Sequence, residues 1–540
     1  FVWDDEEQIL NNGLVHSIIN LPLFFQGSTF NTGGAGILNG LYYKPLMTVF
    51  FSLFYTVFGA NSFFFHLFQL FFHLVNVCLV FLIFRKIFPQ DRKESQVLVF
   101  FLSLVFLIHP INVETVVYSS SLQDILYLLF GLIALLFLIK NELNVKRTLI
   151  LSLLLLMSLL SKETGIIFVL MSVVYVYLFN KDKLKSLIGA VLVTLITYSI
   201  LRFGVAQVFF NKSNISPISR FTFWERLPSI PKIITFYLIT FLFPIYLSIS
   251  QHWVVNSLTF TDFYLPLIFS LIFFVALSFY QYYLFRSKNP LSKPFLFFYC
   301  WFIFGLGLHL QFFSLDMTVA ERWFYMAEVG LLGMIGILIL DLKLITSRFF
   351  PYLLLIVTIV LILFSVRTIS RSLDWKNGLT LYSKDVQITH NSFDLENNLG
   401  VELYRAGRFR EAKNHFEKSV MLAPFWWTNW NNLGSTYEWG GDIKAAKEAY
   451  LKAIKNGQYY LSYENVAKLT FFKENNPKEA RKFTQDSLKI LPQNPTLWFI
   501  LALSDYKLNL KDEALPAAKN AYILAPSEQT DYVVTKIQAG

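Results

Sequence analysis

The sequence predicts an all-α protein, a polytopic bundle of membrane-spanning helices followed by an external α-solenoid. Three observations predict it. The 540 residues are 55% hydrophobic and only 15% charged, whereas a soluble globular chain carries about 25% charged residues. The charges are uneven: residues 374–540 hold 21 Lys+Arg and 19 Asp+Glu, and the first 373 residues hold 25 and 17. In the polar tail, Ala412, Ala446, Ala480 and Ala514 recur every 34 residues. This composition excludes a disordered chain, a secreted disulfide scaffold and a cytosolic enzyme.

The net charge of +10 divides as +8 in 1–373 and +2 in 374–540. In a membrane body such an excess reads as Lys- and Arg-rich cytoplasmic loops, not as a nucleic-acid footprint. Cys78 and Cys300 both lie in apolar runs and form no CxxC metal motif. The chain starts at Phe1 with an acidic stretch and no signal-peptide pattern, so a first helix is expected upstream of this numbering.

A spanning helix needs about 20 apolar residues. Candidate runs cover 63–84, 97–109, 122–139, 147–161, 164–180, 185–203, 232–249, 263–285, 295–313, 323–340 and 349–367. The run 45–58 is shorter and reads as a helix lying in the interface. Arg85, Lys86, Arg92 and Lys93, then Lys140, Lys146 and Arg147, then Lys181, Lys183 and Lys185, mark cytoplasmic loops. Arg286, Lys288 and Lys293 mark another, as do Lys343 and Arg348. Residues 1–62, 109–121, 161–163, 314–322 and the tail are then external. Between 185 and 286 three runs occur where parity allows an even number of crossings. The run 232–249, interrupted by Pro244 and preceded by Pro228 and Pro231, is the expected re-entrant one.

The tail repeats more than its alanines. Asn398-Leu399-Gly400 returns as Asn432-Leu433-Gly434, Phe416 and Tyr450 share a slot, and Trp430 and Trp498 are two periods apart. Pro424, Pro492 and Pro526 each follow a repeat alanine by 12 residues. This resembles the tetratricopeptide (TPR) pattern. Four repeats over roughly 390–526 predict a short solenoid whose concave face suits peptides or protein partners.

Charged residues on the external side are the candidates for chemistry. Asp4-Asp5-Glu6-Glu7 open the chain. Lys44, in Tyr43-Lys44-Pro45-Leu46, Lys162, in Ser161-Lys162-Glu163, and Arg322, in Glu321-Arg322-Trp323, oppose the positive-inside trend. Two readings stand: a shared phosphate or pyrophosphate site, or local pairing with Glu163 and Glu321. His109 and Glu114 follow a span end, and Asp124 starts the next one. No third ligand at suitable spacing makes this a zinc site. His66, Gln69, His73 and Asn76 form one polar helix stripe. It serves either interhelical hydrogen bonds or a cavity lining.

Together these motifs resemble the polytopic C-type (GT-C) glycosyltransferases, and within them the transmembrane-and-TPR group related to protein O-mannosyltransferases. Asp4-Asp5 stands where that family has an acidic pair, and Lys44-Pro45-Leu46 where it has Arg/Lys-Pro-Leu. His109 to Glu114 matches His-Pro-x-x-x-Glu, Ser161-Lys162 the Ser/Thr-Lys turn, and Glu321 to Tyr325 the Glu-Arg-Tyr-x-Tyr element. Trp323 replaces a Tyr, and Met326-Ala327-Glu328 stand where a proline is usual.

The resemblance implies inverting transfer of a sugar, mannose by family weight, from a polyprenyl-phosphate donor to Ser/Thr of a polypeptide held by the TPR domain. It implies Asp4 as the base with Asp5 as alternate. Lys44, Lys162 and Arg322 bind the donor phosphate, and Tyr43, His109, Glu114, Asp124 and Glu321 give polar support. A divalent metal is compatible but not implied. The expected domains are 1–373 and 374–540, in a prokaryotic plasma membrane or the endoplasmic reticulum, with site and tail external. A transporter or flippase, and a membrane-anchored TPR scaffold, are the alternatives.

Overall fold

A computed structural model describes residues 1–29, 42–89, 93–209, 216–345, 348, 350–457 and 459–539. Arg92, the Lys93 side chain and residues 30–41 therefore lie outside the described residues. The described residues form helices and turns, with one isolated β-bridge between Gln251 and Val319. Two compact units are present, one running to His390 and the other from Asn391 to the C-terminus.

The first unit is built from α1 (Pro45–Phe58), α2 (Ser62–Ile87), α3 (Lys93–Ile108), α4 (Val113–Val117), α5 (Leu122–Lys140), α6 (Val145–Ser161), α7 (Ile166–Phe179) and α8 (Leu184–Ser199). It continues with α9 (Phe223–Arg226), α10 (Ile230–Leu242), α11 (Leu265–Arg286), α12 (Ser292–Gly307), α13 (Tyr325–Asp341), α14 (Phe350–Asp374) and α15 (Gly378–Ile388). Among the described residues, six helical stretches are long and apolar enough to cross a membrane. They are Ser62–Ile87, Ser119–Lys140, Lys181–Val205, Phe260–Arg286, Glu321–Asp341 and Phe350–Asp374. A seventh is the pair Ser95–Ile108 and Pro110–Val117, bent by 45°, where Pro110 lacks the N–H that would continue the helix. The chain is a multi-pass membrane protein.

Hydrophobicity all round a helix marks burial or lipid contact, and the structure separates the two. α5 and α13 are 83% buried over their most apolar windows and form the bundle centre, whereas α14 is 0% buried and turns apolar residues outward. The run at 232–249 makes only the 13-residue α10, then leaves helix at Phe243 before Pro244, and the runs on either side make helices of spanning length. Three residues of the polar stripe of α2, Gln69, His73 and Asn76, make bonds to other segments of the bundle. Gln69 Nε2 donates to the carbonyls of Thr115 and Tyr118 (2.8 and 2.6 Å). Tyr325 Oη donates to His73 Nδ1 (2.7 Å) and accepts from Asn76 Nδ2 (3.3 Å). Such bonds fix register where apolar packing alone would let helices slide.

The second unit comprises α16 (Phe393–Arg405), α17 (Phe409–Leu422), α18 (Trp427–Trp439), α19 (Ile443–Gly457), α20 (Tyr460–Lys468), α21 (Pro477–Leu488), α22 (Pro495–Lys507), α23 (Lys511–Leu524) and α24 (Glu528–Ala539). The 34-residue period has a direct packing cause. Ala412, Ala446, Ala480 and Ala514 are all fully buried. A Cβ on Gly400 would lie 2.6 Å from the Phe416 ring, and one on Gly434 would lie 2.6 Å from the Tyr450 ring. The indole of Trp430 donates to the carbonyl of Pro424, and that of Trp498 to Pro492, both at 2.8 Å. Four helix pairs, α16/α17 to α22/α23, therefore repeat one hairpin, and α24 follows as a cap.

Candidate active site

Asp4 and Asp5 sit on a short N-terminal segment with different surroundings. Asp5 is fully buried and saturated: Oδ1 accepts from the Ser120 N–H (2.8 Å) and Oγ (2.7 Å), and Oδ2 accepts from the Val2 N–H (3.1 Å). It ties the segment to the turn Ser119–Ser121. Asp4 is half-buried, and its N–H donates to Tyr118 Oη at 3.3 Å. Burial pushes the Asp4 carboxyl above its ordinary value, against the pull of Tyr118, Arg322 and Lys44. Tyr118 is flanked by Trp3 (6.2 Å between ring centroids) and Trp375 (5.6 Å). Trp3 has a φ of 55°, a left-handed conformation uncommon outside glycine, held where the chain turns Asp4 toward Tyr118.

The three cations come from three helix ends. Arg322 is the second residue of the turn Glu321–Phe324 that leads into α13. Its guanidinium pairs with Glu114 Oε1, and its N–H donates to Glu114 Oε2 at 3.0 Å. Glu114, in the first turn of α4, is fully buried. Lys162 follows the last residue of α6, and its Nζ lies 2.5 Å from Asp124 Oδ1 in the first turn of α5. Lys44 precedes Pro45, the first residue of α1, and its N–H donates to Thr29 Oγ1 at 2.9 Å. Its Nζ lies 4.1 Å from the centre of the Tyr42 ring and has no ion pair among the described residues. Burial lowers Lys44 to about 8, with Lys162 lowering it further and Glu163, Asp316 and Asp124 opposing.

Asp4, Lys44, Lys162 and Arg322 thus share one field: Asp4 feels Arg322 and Lys44, and Lys44 feels Lys162. Local pairing with the sequence neighbours is absent. Glu163 instead binds Arg202 (2.8 Å) and the Tyr43 N–H (3.1 Å), and Glu321 accepts from the Ser248 N–H.

Three of the expected supporting residues stand outside this cluster. His109 caps a turn, accepting from the Ile111 N–H at Nδ1 (3.1 Å) and donating from Nε2 to the Phe241 carbonyl (2.9 Å). The Tyr43 hydroxyl donates to the Phe25 carbonyl (3.4 Å). Glu321 joins a buried set with Arg371 and Asp385, where Asp385 accepts from the Ile249 N–H at 2.8 Å. Residues that sequence reasoning left out are Tyr118, Ser120, Asp316 (paired with the Tyr42 hydroxyl) and Arg202. Arg202 had a usable signal, a charge inside an apolar run. No group of three His, Cys, Asp or Glu side chains suited to a metal occurs among the described residues.

The sequence is similar to those of known proteins. A tetratricopeptide repeat model matches residues 428–456. The human protein O-mannosyl-transferase TMTC3 is 26% identical over 97% of this chain and 61% of its own length. The Caenorhabditis elegans protein O-mannosyl-transferase F38B6.6 is 24% identical over 78% of this chain and 60% of its own length. The chain is similar to the transmembrane-and-TPR protein O-mannosyl-transferases. A shorter match, 31% identical over 21% of this chain and 12% of the relative, is to protein O-mannosyl-transferase Tmtc2 of Drosophila melanogaster. The chain spans about three fifths of the length of TMTC3 and F38B6.6.

Proposed function

We propose that this chain is an integral-membrane glycosyltransferase that moves mannose from a polyprenyl-phosphate donor to a Ser or Thr hydroxyl of a polypeptide. The observation that carries the reading is a half-buried carboxylate, Asp4, whose N–H donates to Tyr118, together with Lys162 and Arg322 held by Asp124 and Glu114 and Lys44 left without an ion pair among the described residues. The acceptor oxygen attacks the anomeric carbon from the face opposite the phosphate and inverts it. Asp4 takes the hydroxyl proton as the new C–O bond forms. The bond from the anomeric carbon to the phosphate oxygen breaks, and its electron pair leaves with the lipid phosphate. Cations aimed at that growing charge lower the barrier.

Lys44 has the leading role in phosphate contact, because Lys162 and Arg322 already hold carboxylates while Lys44 holds none. Asp124 and Glu114 keep two mutually repelling cations in place near a site that is empty of phosphate between turnovers. The TPR unit holds the acceptor polypeptide and raises its effective concentration. The loop charges at 286–293 and 341–348 favour site and TPR unit both on the external or lumenal side.

The test is transfer of labelled mannose from a polyprenyl-phosphate donor to a Ser/Thr-containing polypeptide by the purified chain in proteoliposomes. Transfer that survives in the Asp4→Asn/Lys44→Ala variant, or none in the wild type with any polyprenyl-phosphate sugar, overturns the reading.

A further inference from the structure

The far end of α5, with the last turn of α2 beside it, carries a second group of cations that the proposed transfer does not use. Asp124 is in the first turn of α5, and Lys140 closes that helix, roughly 24 Å away along the axis at about 1.5 Å per residue. Lys140 lines a cavity of about 350 Å³ with Arg85 and Lys86 from the last turn of α2 and Ser95 from the start of α3. Phe88 and Val99, both buried, give it apolar walls. None of the three cations makes an ion pair or hydrogen bond among the described residues. Arg85 only lies over the Phe81 ring at 5.7 Å. Ser95 is 2% exposed, and its Oγ has no hydrogen-bond partner. A buried hydroxyl left unpaired is unfavourable, and three unpaired cations around one cavity repel one another.

We propose that this cavity binds the phosphate of an anionic phospholipid headgroup. The phosphate accepts from Ser95 Oγ and neutralises Arg85, Lys86 and Lys140, and its acyl chains leave along the apolar helix faces. Basic pockets between membrane helices recognise anionic headgroups in this way. A purely topological role asks only that the cations reach water near the helix ends. It gives no reason for three of them, and an unpartnered buried hydroxyl, to border one cavity.

The experiment uses the full chain in nanodiscs of phosphatidylcholine with phosphatidylglycerol, followed by native mass spectrometry of the lipid it retains. The wild type should retain phosphatidylglycerol in preference. Arg85→Gln/Lys86→Gln should lower that retention by about five-fold for each cation removed. Lys140→Gln/Asn141→Lys keeps the charge of the loop and moves it out of the cavity, so it should lose retention while insertion is unchanged. Ser95→Ala should weaken retention without lowering the thermal stability of lipid-free protein, since it deletes an unpartnered hydroxyl. Equal retention of both lipids by the wild type, or an unaffected Lys140→Gln/Asn141→Lys variant, overturns the proposal. Thermal stabilisation by inorganic phosphate in detergent, with no preference for phosphatidylglycerol, overturns the lipid assignment in favour of a soluble phosphate.

Discussion

Arg322 binds Glu114, 208 residues away in sequence, through both its guanidinium and its backbone N–H, while the adjacent Glu321 turns to the Ser248 amide. The pairing welds the turn before α13 to α4, the helix that follows the bend at Pro110. It also fixes which carboxylate supports the candidate site. Removing one partner of a buried ion pair is unfavourable by about 3–5 kcal/mol, because the other charge stays buried and unpaired. Glu114→Gln is therefore expected to lower both thermal stability and sugar transfer. Glu321→Gln, which leaves the Arg322 pair intact, should keep transfer within a few-fold of wild type. Unfolding curves and transfer rates of the two variants, measured side by side, check this.

The acidic pair should separate in the same manner. Asp4→Asn keeps shape and removes the proposed base, so transfer should fall by about 10²–10⁴-fold with the melting temperature unchanged. Asp5→Asn replaces one of two accepting oxygens with an N–H group that cannot accept from Val2 or Ser120. The orphaned donors should destabilise the N-terminal segment by about 1–3 kcal/mol, seen as faster proteolysis near residue 5. A stable but inactive Asp5→Asn variant would instead move the base role to Asp5.

The pH profile should be bell-shaped. With Asp4 as the proposed base, the transfer rate should rise as pH climbs through the Asp4 pKa, which burial holds above the ordinary 3.8. With Lys44 as the proposed phosphate contact, the rate should fall as pH passes about 8. Lys44→Arg, whose guanidinium stays charged, should move the alkaline limb upward and leave the acid limb in place. A profile of kcat/KM from pH 5 to pH 10 would show whether the descending limb follows residue 44.

What the sequence discloses depends on how local the cause is. The solenoid is legible because its repeat is local: Gly434 must admit the Tyr450 ring, and Trp430 must reach Pro424. Both constraints recur at fixed spacing. The apolar runs are legible because a helix that is hydrophobic all round is either buried in the bundle or facing lipid, whichever neighbours it meets. The pairings are not local. Lys162 stands next to Glu163 and Arg322 next to Glu321, yet both turn to carboxylates brought near by folding. Adjacent residues are tied to one backbone turn and point apart, so neighbour pairing was the misleading cue. His109 illustrates the converse: its motif position suggests the site, but both ring nitrogens serve the backbone.

The cations should act as a unit in transfer and nearly independently in stability. Lys162 and Arg322 hold different carboxylates, Asp124 and Glu114, so Lys162→Ala and Arg322→Ala each orphan their own partner. Their unfolding penalties should come close to adding. In the proposed site both serve one donor phosphate, and each charge-assisted contact contributes about 1.5–3 kcal/mol. Each single variant should then lose tens- to hundreds-fold in transfer. The Lys162→Ala/Arg322→Ala double variant should lose less than the product of the two, because the first loss already misplaces the phosphate. The same three proteins therefore supply two cycles with opposite expectations. Coupling in transfer alone identifies a shared phosphate. Coupling of equal size in unfolding would mean that the two ion pairs form one structural network, and losses that multiply in transfer would mean that the cations serve separate ends of the site.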